Sequence, residues 1–146
     1  MRYRINKSGD IVVSGRGAED NIQRACLRWF DMQYPKLEKC LYHIPNQTVD
    51  AKETAKKVGM GMRRGVPDLH LIIPNHGFHS LYMEVKTPDG VQSKEQKEFQ
   101  LLAISLGHAY ILVRSVDDFI KAVQGHLHGL PCYKDLWGIP IPFPRG

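Results

Sequence analysis

The chain has 146 residues, of which 42% are hydrophobic, and a mean hydropathy of −0.33; this predicts one domain with a real core and excludes a fibrous or disordered chain. A net charge of +5 and a pI near 9.2 suit a polyanionic partner. No apolar run approaches membrane-spanning length and the first residues lack the apolar segment of a signal peptide, so a cytoplasmic protein is expected.

Residues 1–17 hold two strand-like pieces, at 2–5 and 11–14, which read as an arm or a small hairpin. Residues 18–34 predict a helix: Ile22, Ala25, Cys26, Trp29 and Phe30 follow the spacing of one apolar face, and Pro35 ends it. Glu19 falls at the edge of that face. It reads either as a first-turn acid favoured by the helix dipole or as a carboxylate leaning toward a site. Residues 39–44 predict a strand, closed by Pro45-Asn46-Gln47. Residues 47–64 are polar and basic, with Lys52, Lys56, Lys57, Arg63 and Arg64; a helix over 49–58 is broken by Gly59-Met60-Gly61. These glycines do not make a phosphate-cradling GxGxxG, because Arg64 stands at the third glycine position and a strand follows. A basic loop running into a strand suits contact with a nucleic-acid backbone, and equally an ordinary solvated loop.

Next come an apolar run at 69–73 and an alternating run at 78–86, joined through Pro74-Asn75-His76-Gly77, which predicts a hairpin. Leu81, Met83 and Val85 share one face; Tyr82, Glu84 and Lys86 share the other. With a loop of Asn75-His76-Gly77 and Gly77 left-handed, Pro74 faces Phe78 and Asp68 faces Glu84. Thr87-Pro88-Asp89-Gly90 is a turn. Ser93 and Gln96 form a capping box for a helix over 94–106, with Phe99, Leu102, Ala103 and Leu106 as its apolar face and Gly107 as its stop. A strand follows at 108–113. Ser115 and Asp118 then cap a last helix that turns Phe119, Ile120, Val123 and Leu127 inward. Residues 129–146 are a proline-rich tail whose Trp137, Ile139, Ile141 and Phe143 make it apolar enough to pack against something.

The chemistry concentrates where Asp68 meets Glu84. Two adjacent carboxylates raise each other's pKa unless a cation sits between them. Lys86 offsets part of that, and a hard divalent ion such as Mg2+ offsets the rest, with the Val85 carbonyl as a further oxygen ligand. Each half alone has a bland reading: Pro-Asp is a common turn pair, and Glu-x-Lys is usually a solvated ion pair. The hairpin that joins them favours function. Other chemistries lack their residues. The seven histidines show no convincing metal-ligand set, and there is no Gly-x-Ser-x-Gly elbow. Cys26, Cys40 and Cys132, odd in number and without CxxC spacing, favour reduced thiols.

Pro67-Asp68 followed by Glu84-Val85-Lys86 resembles the PD-(D/E)xK nuclease signature. The longer string is similar to the VRR-NUC branch of that superfamily: His43-Ile44-Pro45-Asn46, Lys57-Val58-Gly59, Gly65-Val66-Pro67-Asp68-Leu69, Glu84-Val85-Lys86 and Ser93-x-x-Gln96. The resemblance implies an α/β, restriction-endonuclease-like core over residues 18–128: helix, three-strand antiparallel meander, helix, strand, helix. It implies a DNA endonuclease dependent on Mg2+ or Mn2+. Asp68 and Glu84 would hold the metal with the Val85 carbonyl and Glu19, and Lys86 would activate the attacking water. It also turns Gln96 toward the site, although its capping position gives it another job and one side chain is not expected to do both fully. Asn46, Lys57, Arg63 and Arg64 are the expected nucleic-acid contacts.

A stand-alone domain of this branch resembles homodimeric phage or bacterial enzymes acting on branched DNA such as Holliday junctions, in a bacterial or phage-infected cell. The termini, at 11–14 and 137–143, are the expected dimer patch. Two rivals stay open: a nucleic-acid-binding module with a structural carboxylate cluster, and a sequence-specific restriction-type endonuclease.

Overall fold

A computed structural model describes the backbone of residues 2–5, 11–14 and 16, and the whole of residues 17–128 and 130. Two compact units make up the chain. One comprises Met1–Lys39, Val85–Gly90 and Leu112–Gly146; the other comprises Cys40–Glu84 and Val91–Ile111. No helix among the described residues is long and apolar enough to cross a membrane.

Four strands, β3 (Leu41–His43), β4 (Leu69–Leu71), β5 (Leu81–Val85) and β6 (Ala109–Val113), form one sheet in the order β3-β4-β5-β6. The first three are an antiparallel meander, as expected. Leu41, Tyr42 and His43 pair with Leu71, His70 and Leu69, which pair in turn with Leu81, Tyr82 and Met83. Ala109 N donates to Ser80 O and Lys86 N donates to Val113 O, each at 2.9 Å. The two bonds advance together along both strands, so β6 runs parallel to β5. Such a pair needs a long crossover, and α3 (Lys94–Ser105) supplies it. Leu41, Leu69, Leu71, Leu81 and Met83 are all buried.

Two local expectations change. The third strand starts at Leu41, because Pro35–Cys40 forms a 3-10 helix. Pro35 presets a helical φ, Leu37 N donates to Tyr34 O at 2.9 Å, and the tight turn leaves Leu37 only 1% exposed. In the hairpin, Gly77 is not among the glycines with positive φ, which among the described residues are Gly61, Gly65 and Gly107. The Asn75 side chain makes the turn instead: its Oδ1 accepts from Gly77 N at 2.9 Å and Phe78 N at 2.7 Å. This Asx turn removes the need for a left-handed glycine. Asn75 N donates to Phe78 O at 2.9 Å within the turn, and the strand pairing, Leu69 with Met83 and Leu71 with Leu81, is the predicted register.

α2 (Ala51–Gly59) starts two residues later than expected, where Asp50 Oδ1 accepts from Glu53 N at 2.8 Å. α3 has its capping box, but not its expected buried face. Ala103 is buried, whereas Leu102 is 55% and Leu106 61% exposed. The line turned to the sheet is Gln96, Phe99 and Ala103, with Phe99 edge-on to Tyr82 at 5.2 Å. Apolarity alone misplaces this face because glutamine occupies one of its positions.

In the first unit, β1 (Arg2–Ile5) and β2 (Ile11–Ser14) pair antiparallel, as the sequence suggests. α1 (Arg16–Gln33) packs on α4 (Val116–Leu127), with Trp29 edge-on to Phe119 at 6.0 Å and Cys26, Phe30, Phe119 and Val123 fully buried. Burial pushes the Cys26 thiol up to about 12, so it is an inert core group. Ser115 Oγ caps α4 by accepting from Asp118 N at 3.1 Å. The tail at 131–146, with Trp137, Ile139, Ile141 and Phe143, lies outside the described residues.

Arg114 ties down the turn that follows Lys86: Nη1 donates to Gly90 O at 2.7 Å, Thr87 O at 2.8 Å and Pro88 O at 3.3 Å. Charged hydrogen bonds of this kind contribute about 1.5–3 kcal/mol. Arg114→Ala is therefore expected to lower the unfolding free energy by about 2 kcal/mol in urea titration, with Arg114→Lys recovering only part. An unchanged midpoint would show that the turn holds without the guanidinium.

Candidate active site

Extending the β4–β5 pairing one step beyond Leu69 and Met83 brings Asp68 opposite Glu84. Side chains alternate along a strand, so Asp68 shares a face with His70, and Glu84 with Tyr82. The approach to Asp68 is fixed by main-chain contacts. Its carbonyl accepts from Ile44 N at 2.8 Å and from His43 Nδ1 at 2.9 Å. A carbonyl can only accept, so His43 carries its proton on Nδ1. Asn46 Nδ2 donates to Val66 O at 2.9 Å, and Pro67 is fully buried.

Gly65 completes the hold. Its φ is +85°, and a Cβ there would lie 2.3 Å from Glu95 O in the first turn of α3. The loop therefore lies against the helix at a distance that only glycine permits.

Glu84 is 3% exposed, and burying a carboxylate is costly unless it is hydrogen-bonded. Gln96 Nε2 donates to Glu84 Oε1 at 2.8 Å. The same carboxamide accepts from Ser93 N at 2.8 Å through Oε1, while Ser93 Oγ accepts from Gln96 N at 3.1 Å. One side chain was not expected to do both jobs fully, yet the amide has two ends and uses one to cap α3 and the other to bond Glu84.

Tyr110 on β6 was missed from the sequence. Its phenol is pushed up to about 12, chiefly by burial and also by the charges of Glu84 and Asp68, against a hydrogen bond from Gln92. Both carboxylates thus bear on one neutral phenol. Gln92 Nε2 holds it at 3.3 Å and reaches Gln100 Oε1 at 3.0 Å. Nothing in the spacing of Gln92, Gln100 and Tyr110 marks them, since only the fold brings them together.

A cleft of about 230 Å³ is lined by Asn46, Met62, Arg63, Arg64, Gly65, Ser93, Glu95 and Gln96. Three of the four expected nucleic-acid contacts thus meet Gln96 in one cavity. Lys57 is not among the lining residues. On α2 it pairs with Glu53 at 2.8 Å, and it donates to Gln47 O in the preceding loop at 3.2 Å. Lys86 directly follows β5 and is half-buried, and Val85 is buried. Glu19 is half-buried in the first turn of α1, in the first unit. Among the described residues no three of His, Cys, Asp and Glu gather to hold a metal. The donor set is two carboxylates, and Mg2+ is often held by one or two carboxylates with water filling the rest.

The double role of Gln96 is separable. Gln96→Glu keeps an acceptor for Ser93 N, as in the common Ser-x-x-Glu box, but sets a carboxylate against Glu84. Gln96→Ala loses both contacts and about 1 kcal/mol of cap. Activity at the site is expected to fall at least about tenfold in both, and urea stability in both, because each leaves the buried Glu84 without the Gln96 donor, while only the alanine variant also loses the cap. Near-normal cleavage by Gln96→Glu would reduce the residue to a cap.

No family model matches the sequence, and neither does any curated protein. A solved structure described as a VRR_NUC domain protein is similar to this chain, with a TM-score of 0.68 and 26% identity, over 79% of this chain and 91% of its own. The sheet order, the Asp68–Glu84 register and this likeness agree: the chain has a restriction-endonuclease-like α/β fold, and the likeness supports a VRR-NUC domain, consistent with the PD-(D/E)xK superfamily.

Proposed function

We propose that the protein is a Mg2+- or Mn2+-dependent endonuclease that hydrolyses DNA phosphodiester bonds and prefers branched DNA such as a four-way junction. One observation carries the reading: Asp68 and Glu84 fall opposite each other in the β4–β5 register, with Glu84 gripped by Gln96. When bound, a divalent ion would polarise a phosphoryl oxygen and lower the pKa of a bound water. Asp68 and Glu84 are its ligands in this reading, with the Val85 carbonyl and Glu19 as further candidates. Gln96 orients the Glu84 carboxylate. Lys86, two residues beyond Glu84 in an alternating strand, positions the attacking water and offsets charge developing on the phosphate. Arg63 and Arg64, together with Asn46 in the cleft, contact the DNA backbone, where cations neutralise phosphates whatever the sequence.

The preference for a branched substrate rests on symmetry. A junction is resolved by two symmetric nicks, and a two-fold pair of chains presents two copies of one site. Exposed Leu101, Leu102 and Ile104 on α3, and Leu106 just after it, supply apolar surface that favours such self-association.

Linear duplex, flap, splayed arm and four-way junction, each with and without Mg2+, test the reading. Cleavage is expected only with metal and fastest on the junction, with a dimeric mass by light scattering. Asp68→Asn should abolish cleavage and weaken Mn2+ binding in calorimetry without unfolding the protein. Lys86→Met should lose most turnover but keep metal-dependent DNA binding. Metal-independent binding with no cleavage of any substrate would leave a nucleic-acid-binding module instead.

Replacing Arg63 should weaken binding alike for all sequences and reduce the slope of log affinity against log salt by about one. An unchanged slope would remove Arg63 from the backbone contacts.

A further inference from the structure

A chain of side-chain hydrogen bonds crosses the whole sheet, using one residue on or beside each strand. Tyr42 Oη on β3 meets His70 Nδ1 on β4 at 2.6 Å. His70 Nε2 meets Ser80 Oγ, one residue before β5, at 2.9 Å. Ser80 Oγ meets His108 Nδ1, one residue before β6, at 2.6 Å. His70 also stacks on its register partner Tyr82, with centroids 4.2 Å apart and planes within 10°. Alternation puts His70 on the face of Asp68, and Ser80 and Tyr82 on the face of Glu84. The paired ladders on either side of β4 are three residues long, extended toward β3 by Ile44 N to Asp68 O and Ile72 N to Cys40 O, so the side-chain chain adds to a short main-chain ladder.

We propose that the Tyr42–His70–Ser80–His108 chain is the register lock of the site, a set of positioning residues that keep Asp68 opposite Glu84. The proposal deepens the metal-nuclease reading and rests on it for its functional consequence. A one-residue slip of β4 would carry His70 away from both Ser80 and Tyr82 and turn its whole side-chain set to the other face. Ser80 is 3% exposed, so bulk water is poorly placed to take over the bonds that a slip would break.

The geometry also fixes how protons are arranged. Ser80 has one hydroxyl proton, so it donates to one imidazole and accepts from the other. If it donates to His108 Nδ1, His70 must donate from Nε2 and accept from Tyr42, and both rings carry their proton on Nε2. If it donates to His70 Nε2, both rings carry it on Nδ1. With neutral rings the two histidines therefore share one tautomer.

The test uses the full chain. Two-bond proton–nitrogen spectra at pH 8 should show the same tautomer for His70 and His108, and opposite tautomers would overturn the chain. Ser80→Ala should weaken Mn2+ binding in calorimetry at least about tenfold, the range seen when groups that orient ligands are removed. It should also lower kcat more than it raises KM for DNA. Folded Ser80→Ala that binds Mn2+ like the native protein overturns the proposal, because a merely structural role would alter thermal stability alone. If Ser80→Ala does not fold, Tyr42→Phe decides by the same two readouts, since Tyr42 is exposed and the change removes one oxygen. A native protein that binds no Mn2+ and cuts no DNA overturns the nuclease reading instead. The lock is then decided by the tautomers and by amide exchange of β4, which should quicken in Ser80→Ala or Tyr42→Phe; unchanged exchange overturns it.

Discussion

Side chains on a strand alternate between faces, so sliding β4 by one residue against β5 would turn Asp68 away from Glu84 and put Leu69 or Pro67 in its place. The site depends on that register, and contacts from several directions defend it. From the β3 side, Ile44 and His43 both donate to the Asp68 carbonyl, and Asn46 donates to the Val66 carbonyl. From the α3 side, Gly65 lies against the Glu95 carbonyl. These contacts reach main-chain atoms, so they fix where the strand begins whatever its side chains are. The loop before β4 carries three arrangements in a row: a left-handed glycine, a buried proline and a doubly accepting aspartate carbonyl.

α3 illustrates how a polar residue can set the orientation of a helix. On hydrophobic spacing alone, Phe99, Leu102, Ala103 and Leu106 would face the sheet. Instead Gln96, Phe99 and Ala103 do, and Leu102 and Leu106 lie exposed. A buried carboxylate without a donor is costly, and Gln96 at the start of α3 donates to Glu84. Turning the helix to deliver Gln96 leaves apolar area uncovered at its far end. The gain is that the group capping the helix also grips the carboxylate, so the first turn of α3 and the end of β5 are a single hydrogen-bonded assembly.

Much of this was legible in the sequence because it follows from counting. The hairpin register came from a three-residue loop between two strand-like runs, and it held although the turn is built by the Asn75 side chain and not by a left-handed Gly77. Loop length sets register, and more than one backbone conformation satisfies the same length. Ser93-x-x-Gln96 and Ser115-x-x-Asp118 were readable because caps are local. The start of β3 was not, since burial of Leu37 in a 3-10 turn outweighs the strand propensity of the residues that follow. Tyr110 and the Tyr42–His70–Ser80–His108 chain were not either. Their members are far apart in sequence and joined only by strand order, and a histidine on a strand gives no sign of what faces it.

The basic residues and the acidic pair are separate in sequence but mechanically linked. Arg63 and Arg64 end a polar loop, and Asp68 begins a strand, with Gly65 between them at φ +85°. A residue with a side chain would be strained in that conformation and would collide with the Glu95 carbonyl. The chain would have to leave the helix, and Arg63, Arg64 and Asp68 would move with it. The same first turn of α3 sends Gln96 to Glu84. Displacement at Gly65 therefore disturbs the cleft and the carboxylate pair together. In the proposed reaction, grip on the DNA backbone and the position of the carboxylates share the contact between loop and helix, so a change at Gly65 acts on both.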